Sequence, residues 1–300
     1  MRKAFAESIL ELAEKDEKLV VLIGDISHHL LKKFEEKYPN RFYNIGICEQ
    51  SMIGVAAGLA MEGYRPIVHT IAPFCVERAY EQIKIDLCYQ NLDVTIISVG
   101  SSFDYAHLGC THHCYSDVSI LRPLPNIDIY VPGTSDEYKK IFNDSWSNGN
   151  AKYFKLSKTE HKQNFEVSPG ECNVLNLGNE GTIFVNGHLL EEVLKIENCK
   201  NYSIIYCPTI EPLSQNCKKV MCEVIKSNPN ILVVEENSTS GGFGDKISEI
   251  AFEAKLSIKM RKLGIPRKFC LNYGSADDHR ADLGLISKNM KKILNEFKNV

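Results

Sequence analysis

The chain has 300 residues, 44% of them apolar, with a formal net charge of -3 and a pI near 6.3. That size supports more than one buried core, so two domains are expected, and the near-neutral charge without a basic block argues against a nucleic-acid partner. The longest strongly apolar stretch, Met52 to Met61, is too short to span a bilayer, and Met1 to Lys18 lacks the apolar run of a signal peptide. Eleven cysteines at irregular spacing read as reduced thiols, so a cytoplasmic protein with no membrane association is expected.

In chain order, an amphipathic N-terminal helix leads into a buried strand, Leu19 to Ile26. Gln50 to Glu62 reads as a helix of small and apolar residues, stopped by Gly63 and Pro66. A short strand follows at Ile67 to Thr70. Val76 to Leu87 reads as a helix, and Val94 to Val99 and Ile127 to Val131 as strands. Polar residues from His161 to Glu180, with Pro169 and Gly170 among them, read as a linker. A second unit then alternates strand Thr182 to Val185, helix Leu189 to Ile196, strand Tyr202 to Tyr206, helix Cys217 to Ser227 and strand Ile231 to Glu235. Gly241, Gly242 and Gly244 introduce a last helix, about Asp245 to Ala254. Short apolar strands alternating with helices indicate α/β units, each a doubly wound, mainly parallel sheet covered on both faces. The expected domains are 1–165 and 166–300.

Among polar residues, Glu49 directly precedes the small-residue helix, where the helix dipole favours a carboxylate; it could serve as a cap or as a functional acid. Cys110-Thr111-His112-His113-Cys114 places four possible metal ligands in five residues. Zinc sites draw on a second, separated pair, and none is evident, so no metal site is assigned. Gly241-Gly242-Phe243-Gly244 lacks the lysine of a phosphate loop and reads as a packing turn before a helix.

Four segments occur in order: Ile47-Cys48-Glu49-Gln50; Phe74-Cys75-Val76-Glu77-Arg78-Ala79-Tyr80-Glu81-Gln82; Gly109-Cys110-Thr111-His112 with Asp117 and Leu121-Arg122-Pro123-Leu124-Pro125-Asn126; and Val233-Val234-Glu235-Glu236-Asn237 with Gly241-Gly242-Phe243-Gly244. Together they resemble the pyrimidine-binding and C-terminal domains of the transketolase and 1-deoxyxylulose-5-phosphate synthase family, from Met1 to about Gly284. The resemblance implies thiamine diphosphate as cofactor and transfer of a two-carbon ketol unit between sugars. It implies that Glu49, in an I-x-E-Q context with Ile47, hydrogen-bonds N1′ of the aminopyrimidine, that Phe74 packs on that ring, and that Asp25 lies near the cofactor. His112 matches the histidine that contacts substrate oxygens and shuttles a proton. Arg2, His28, His29, Arg78 and Lys158 are the implied substrate contacts. Phe74 could instead be core, His28 and His29 surface residues, and Arg78 half of a surface pair with Glu81, three residues along the helix.

The pattern departs from the family at Leu108, where many relatives carry an aspartate, and at Lys158, where transketolases carry an arginine. Lysine keeps the charge but not bidentate phosphate recognition, so an altered sugar is expected. The family's diphosphate-binding domain, marked by G-D-G and N-N, has no counterpart in this sequence. A separate N-terminal subunit is therefore expected to supply it, with Mg²⁺ or Ca²⁺, in an α₂β₂ heterotetramer. The alternatives are a 2-oxoacid dehydrogenase E1 β subunit and a non-catalytic scaffold or regulator.

Overall fold

A computed structural model describes residues 1–297. Helix α1 (Arg2–Ala13) leads to β1 (Leu19–Ile23), followed by α2 (His28–Lys37), β2 (Phe42–Asn44), α3 (Glu49–Met61) and β3 (Arg65–Ile71). After a short α4 (Tyr80–Gln82) come β4 (Thr95–Val99), α5 (Asp117–Leu121), β5 (Ile127–Tyr130), α6 (Ser135–Ser145) and β6 (Ala151–Lys155). Beyond these lie β7 (Asn173–Asn176), β8 (Thr182–Val185), α7 (Leu190–Leu194), β9 (Ser203–Tyr206), β10 (Thr209–Glu211), α8 (Gln215–Ser227), β11 (Asn230–Ser238), α9 (Phe243–Glu253), β12 (Lys259–Ile265), α10 (Ala276–Asp282) and α11 (Ser287–Glu296).

The strands form a seven-stranded sheet, in the order β10-β5-β6-β4-β3-β1-β2, and a five-stranded sheet, β12-β11-β8-β9-β7. Both are parallel except at one edge each, where β10 and β7 run antiparallel. Strand β10, late in the sequence, closes the edge of the first sheet by pairing with β5. Alternation explains why β1 is apolar throughout: Val20 and Leu22 join one core, Leu19, Val21 and Ile23 the other. Strand β11 does the same, with Ile231 and Val233 on one side and Leu232 and Val234 on the other. A sheet covered by helices on both faces leaves no polar side for a strand to show. No helix among the described residues is long and apolar enough to cross a membrane.

Two expectations are corrected. The segment read as one helix over Val76 to Leu87 begins at Pro73 and consists of wide π-type turns, Pro73–Glu77 and Ile83–Tyr89, on either side of α4. The Arg78 amide bonds Pro73 O, five residues back, instead of making a standard helical bond. The stretch read as a linker carries β7, held by the main chain of β9 at the edge of the second sheet; none of its side chains is buried, so they carry no strand pattern.

Both apolar cores run through the two sheets, and a buried polar seam joins the sheets beside them. Lys155 Nζ donates to Asp117 Oδ1 (2.8 Å), Asn237 Oδ1 (2.6 Å) and Cys114 O (3.3 Å), and Tyr153 donates to the other Asp117 oxygen. Nearby, Glu236 is paired with Arg280, and His188 lies 3.5 Å from its second oxygen. The nearby His188 and the hydrogen-bonded Arg280 guanidinium outweigh burial and lower the Glu236 pKa to about 2. Its neighbour Glu235 points into the glycine turn and accepts the backbone N–H groups of Phe243 (2.7 Å) and Gly244 (2.9 Å). A side-chain carboxylate thus fills the helix N-terminus that a phosphate loop would leave for a ligand. Burial still pushes the Glu235 pKa up to about 6 against those two bonds.

Candidate active site

In the first sheet the chain leaves β1 toward β2 on one side and later leaves β3 toward β4 on the other. The C-terminal ends of β1 and β3 therefore form a topological switch point, where open α/β sheets gather their ligands. Gly24 follows β1, and a Cβ there would stand 2.7 Å from Thr70 Oγ1 and 3.5 Å from Glu49 Oε1. The absent side chain is what lets Thr70, near the end of β3, pack against the end of β1; toward Glu49 a Cβ would make only ordinary contact.

Glu49 is 1% exposed although it is charged and begins a helix. Oε1 accepts from Thr70 Oγ1 at 3.3 Å, and Oε2 accepts from Arg78 Nη1 at 2.6 Å. The Arg78 guanidinium carbon lies 4.3 Å from the centre of the Phe74 ring. Phe74 and Arg78 are four residues apart across the π-type turn, which sets them on one face. The expected local partner of Arg78, Glu81, is thereby corrected: the partner is Glu49, 29 residues away in sequence. Phe74 is half-buried and faces the site.

His112 approaches from the loop after β4. An antiparallel bridge between Ser102 and Cys114 closes that loop at its base. The His112 ring meets Phe74 edge-on at 5.2 Å, and Nδ1 lies 3.0 Å from Thr111 Oγ1. Partial burial, then the nearby His107, lowers its pKa and favours the neutral ring at physiological pH. His113 takes the opposite direction and packs, buried, edge-on against the stacked Phe103 (5.1 Å) and His279 (5.0 Å) rings. Gly100 has φ +81°, and a Cβ there would collide with the Tyr105 ring at 2.5 Å. Tyr105 consequently lies against the end of β4, its ring 6.1 Å from that of His112.

Two cations converge on Tyr105. Arg2 Nη1 donates to its hydroxyl at 3.4 Å, and Lys158 Nζ lies 4.2 Å over its ring while donating to Asp104 O at 2.9 Å. Arg2 Nη2 donates to Ser27 Oγ, and Ser27 lies 2.8 Å from His69 Nε2. The ring's Nδ1 is 2.9 Å from Ile97 O, an acceptor only, so Nδ1 carries the proton and Ser27 donates to Nε2. Burial lowers the His69 pKa to about 4 and keeps that neutral tautomer.

Asp25 and His28, which follow the end of β1, are exposed and 3.0 Å apart. Asp25 also accepts from Asn44 Nδ2, and that bond and then His28 hold its pKa low. His29 is exposed on the first turn of α2. Ile47 is 68% exposed in the turn before α3. Leu108 is exposed on the His112 loop. The residues singled out from sequence thus form one connected patch from Glu49 through His112 to Arg2 and Lys158, with Asp25, His28 and His29 at its margin. Sequence reasoning passed over Thr70, His69, Tyr105 and Ser27. The usable signal was position: His69 and Thr70 end a strand at a switch point.

The residues fit the aminopyrimidine of thiamine diphosphate in kind, with a buried carboxylate oxygen beside an aromatic face. They fit it in place only if Arg78 moves, because its guanidinium now satisfies that oxygen and covers that face.

Residues 1–162 match the family described as transketolase, pyrimidine binding domain. A subunit of the apulose-4-phosphate transketolase of Actinobacillus succinogenes is 30% identical, over 82% of this chain and 82% of its own length. A putative transketolase C-terminal section of Methanocaldococcus jannaschii is 29% identical, over 99% of this chain and 96% of its own. A solved split-gene transketolase, described as an inactive β4 tetramer, superposes with a TM-score of 0.85 at 25% identity, covering 98% of this chain and 96% of that one.

Proposed function

The chain belongs to the transketolase family as a counterpart of its C-terminal half, and from that premise we propose that it is the C-terminal subunit of a thiamine diphosphate-dependent transketolase. The enzyme moves a two-carbon ketol unit between sugars or sugar derivatives. It acts with a separate diphosphate-binding subunit in a cytoplasmic α₂β₂ assembly, and the metal ligands, for Mg²⁺ or Ca²⁺, lie on that partner. Residues 1–165 form the pyrimidine-binding unit and 166–300 the C-terminal unit. One observation carries the reading: Arg78 links the buried Glu49 carboxylate to the Phe74 ring, which the His112 ring meets edge-on.

The cofactor, when bound, supplies the carbanion chemistry that breaks and forms the carbon–carbon bond. Glu49 holds a hydrogen at N1′ of the aminopyrimidine, in a setting where exclusion of water strengthens the bond. Phe74 orients the ring by stacking. His112, neutral before substrate arrives, accepts and returns a proton at the sugar's oxygens. Arg2, Lys158 and Arg78 attract an anionic substituent of the sugar, and Asp25, His28 and His29 line the entrance. Ile47 borders the cofactor beside Glu49.

A separate partner is supported by the names of relatives of matching length. It is supported also by exposed apolar side chains on and around α3: Ile47, Val55, Met61, Tyr64, Ile85 and Tyr89. Such a belt marks a protein-binding surface. Tagging the chain in its own host and identifying what co-purifies tests the reading. Recovery of a chain carrying G-D-G and N-N, with thiamine diphosphate bound and ketol transfer abolished by Glu49→Gln, supports it. Recovery of the chain alone and cofactor-free overturns it.

A further inference from the structure

We propose that Arg78 is a built-in stand-in for the cofactor's aminopyrimidine, holding Glu49 and Phe74 until the ring displaces it. The inference rests on the cofactor assignment above and adds a competition inside the chain itself.

The geometry is that of a mimic. A guanidinium is flat, delocalised and rich in N–H donors. Arg78 directs one donor to Glu49 Oε2 at 2.6 Å and lies 4.3 Å from the Phe74 ring centre. Those are the two contacts an aminopyrimidine would make with this chain, and one place cannot hold both groups. The arrangement also answers a physical difficulty of the free subunit. Glu49 is 1% exposed, its only other side-chain partner among the described residues is Thr70 at 3.3 Å, and an unpaired buried carboxylate is costly. The Arg78 side chain, by contrast, is 36% exposed and long enough to swing out into solvent once another group takes its place at Glu49. Glu81, three residues along, offers a partner for the released guanidinium. Apparent cofactor affinity is then the intrinsic affinity reduced by the fraction of molecules in which Arg78 is out.

The test titrates thiamine diphosphate with Mg²⁺ into the complex of this chain with its diphosphate-binding partner, by calorimetry. Wild type is compared with Arg78→Ala, Arg78→Gln, Arg78→Lys and Glu49→Gln. The alanine and glutamine variants are expected to bind about tenfold more tightly than wild type, with lysine between. Added guanidinium, at roughly millimolar and non-denaturing concentration, is expected to weaken binding to Arg78→Ala and to leave wild type nearly unchanged, because only the variant has the vacated place. A purely structural arginine would not produce that difference. Arg78→Gln serves if the alanine variant fails to assemble. Equal or weaker binding by the variants, or no effect of guanidinium on Arg78→Ala, overturns the stand-in and leaves the cofactor assignment intact. Absence of cofactor binding in wild type and every variant overturns the assignment and the stand-in together.

Discussion

Two ion pairs in this molecule are each built on a buried carboxylate, yet their surroundings differ. In the seam between the sheets, Asp117 and Lys155 are both sealed, at 0% and 2% exposure. All three N–H donors of Lys155 have acceptors, and Asp117 is held on both oxygens. At the switch point Glu49 is equally sealed, but its partner Arg78 reaches in from solvent and makes one hydrogen bond to it. A charge pair with every donor satisfied on both sides has no room for another molecule and acts as structure. A pair whose cation is half in solvent can be exchanged for a ligand at the cost of one bond. Burial of the acid alone does not separate the two; the freedom of the base does.

The largest expected effect belongs to the seam. Lys155→Ala leaves Asp117 buried without its cation and should cost about 3–5 kcal/mol of stability. Urea denaturation checks it, and a loss under about 1 kcal/mol would break the contrast. Next is Glu49→Gln, which should lower ketol transfer by about 10²-fold or more. Its thermal midpoint, measured by circular dichroism, should stay close to wild type, since a neutral amide still fits beside Thr70. A midpoint falling as far as that of Lys155→Ala would put both pairs in one class.

The adjacent carboxyls Glu235 and Glu236 sharpen the contrast by pH. The Glu236 pKa is depressed to about 2, so its stabilisation is complete above the ordinary carboxyl range and is lost as pH falls from about 4.5 toward 2. This term is on the order of 3 kcal/mol. Glu235 behaves oppositely. Its raised pKa, about 6, means that stability falls as pH rises from about 4.5 through 6, by about 2 kcal/mol. Glu235→Gln should flatten that window while leaving the acid limb, as denaturation midpoints taken across the pH range would reveal. The smallest effect is expected at Lys158. Its amine is already occupied by Asp104 O and Tyr105, so Lys158→Ala should raise KM for an anionic sugar by at most about fivefold and leave kcat unchanged. A much larger rise would make Lys158 the main anion-binding group of the site.

The candidate site was named in sequence where motifs are local. Glu49 at a helix start, Phe74 and Arg78 four residues apart, and His112 in its loop were singled out by motif order and the family resemblance, and the fold brings them together. The Phe74 segment misled as a continuous helix because apolar spacing does not distinguish α turns from the wider turns that follow Pro73. Strand β7 was read as linker because main-chain bonds, rather than an apolar face, hold it at the sheet edge. His69 and Thr70 looked like ordinary strand residues, since nothing in the four-residue segment Ile67 to Thr70 states which end of which strand it occupies.

By itself the sequence determined the layered α/β plan, because periodic burial is a property of short segments, and it supplied the candidate groups of the site as residue types in a given order. Only the tertiary structure decided that Arg78 reaches Glu49 rather than Glu81, that Arg2 and Lys158 meet at Tyr105, and that Glu235 fills its own glycine turn. The first two join residues far apart in the chain, brought together by the strand order of the sheets; the third closes within nine residues and depends on the backbone direction of the turn after β11.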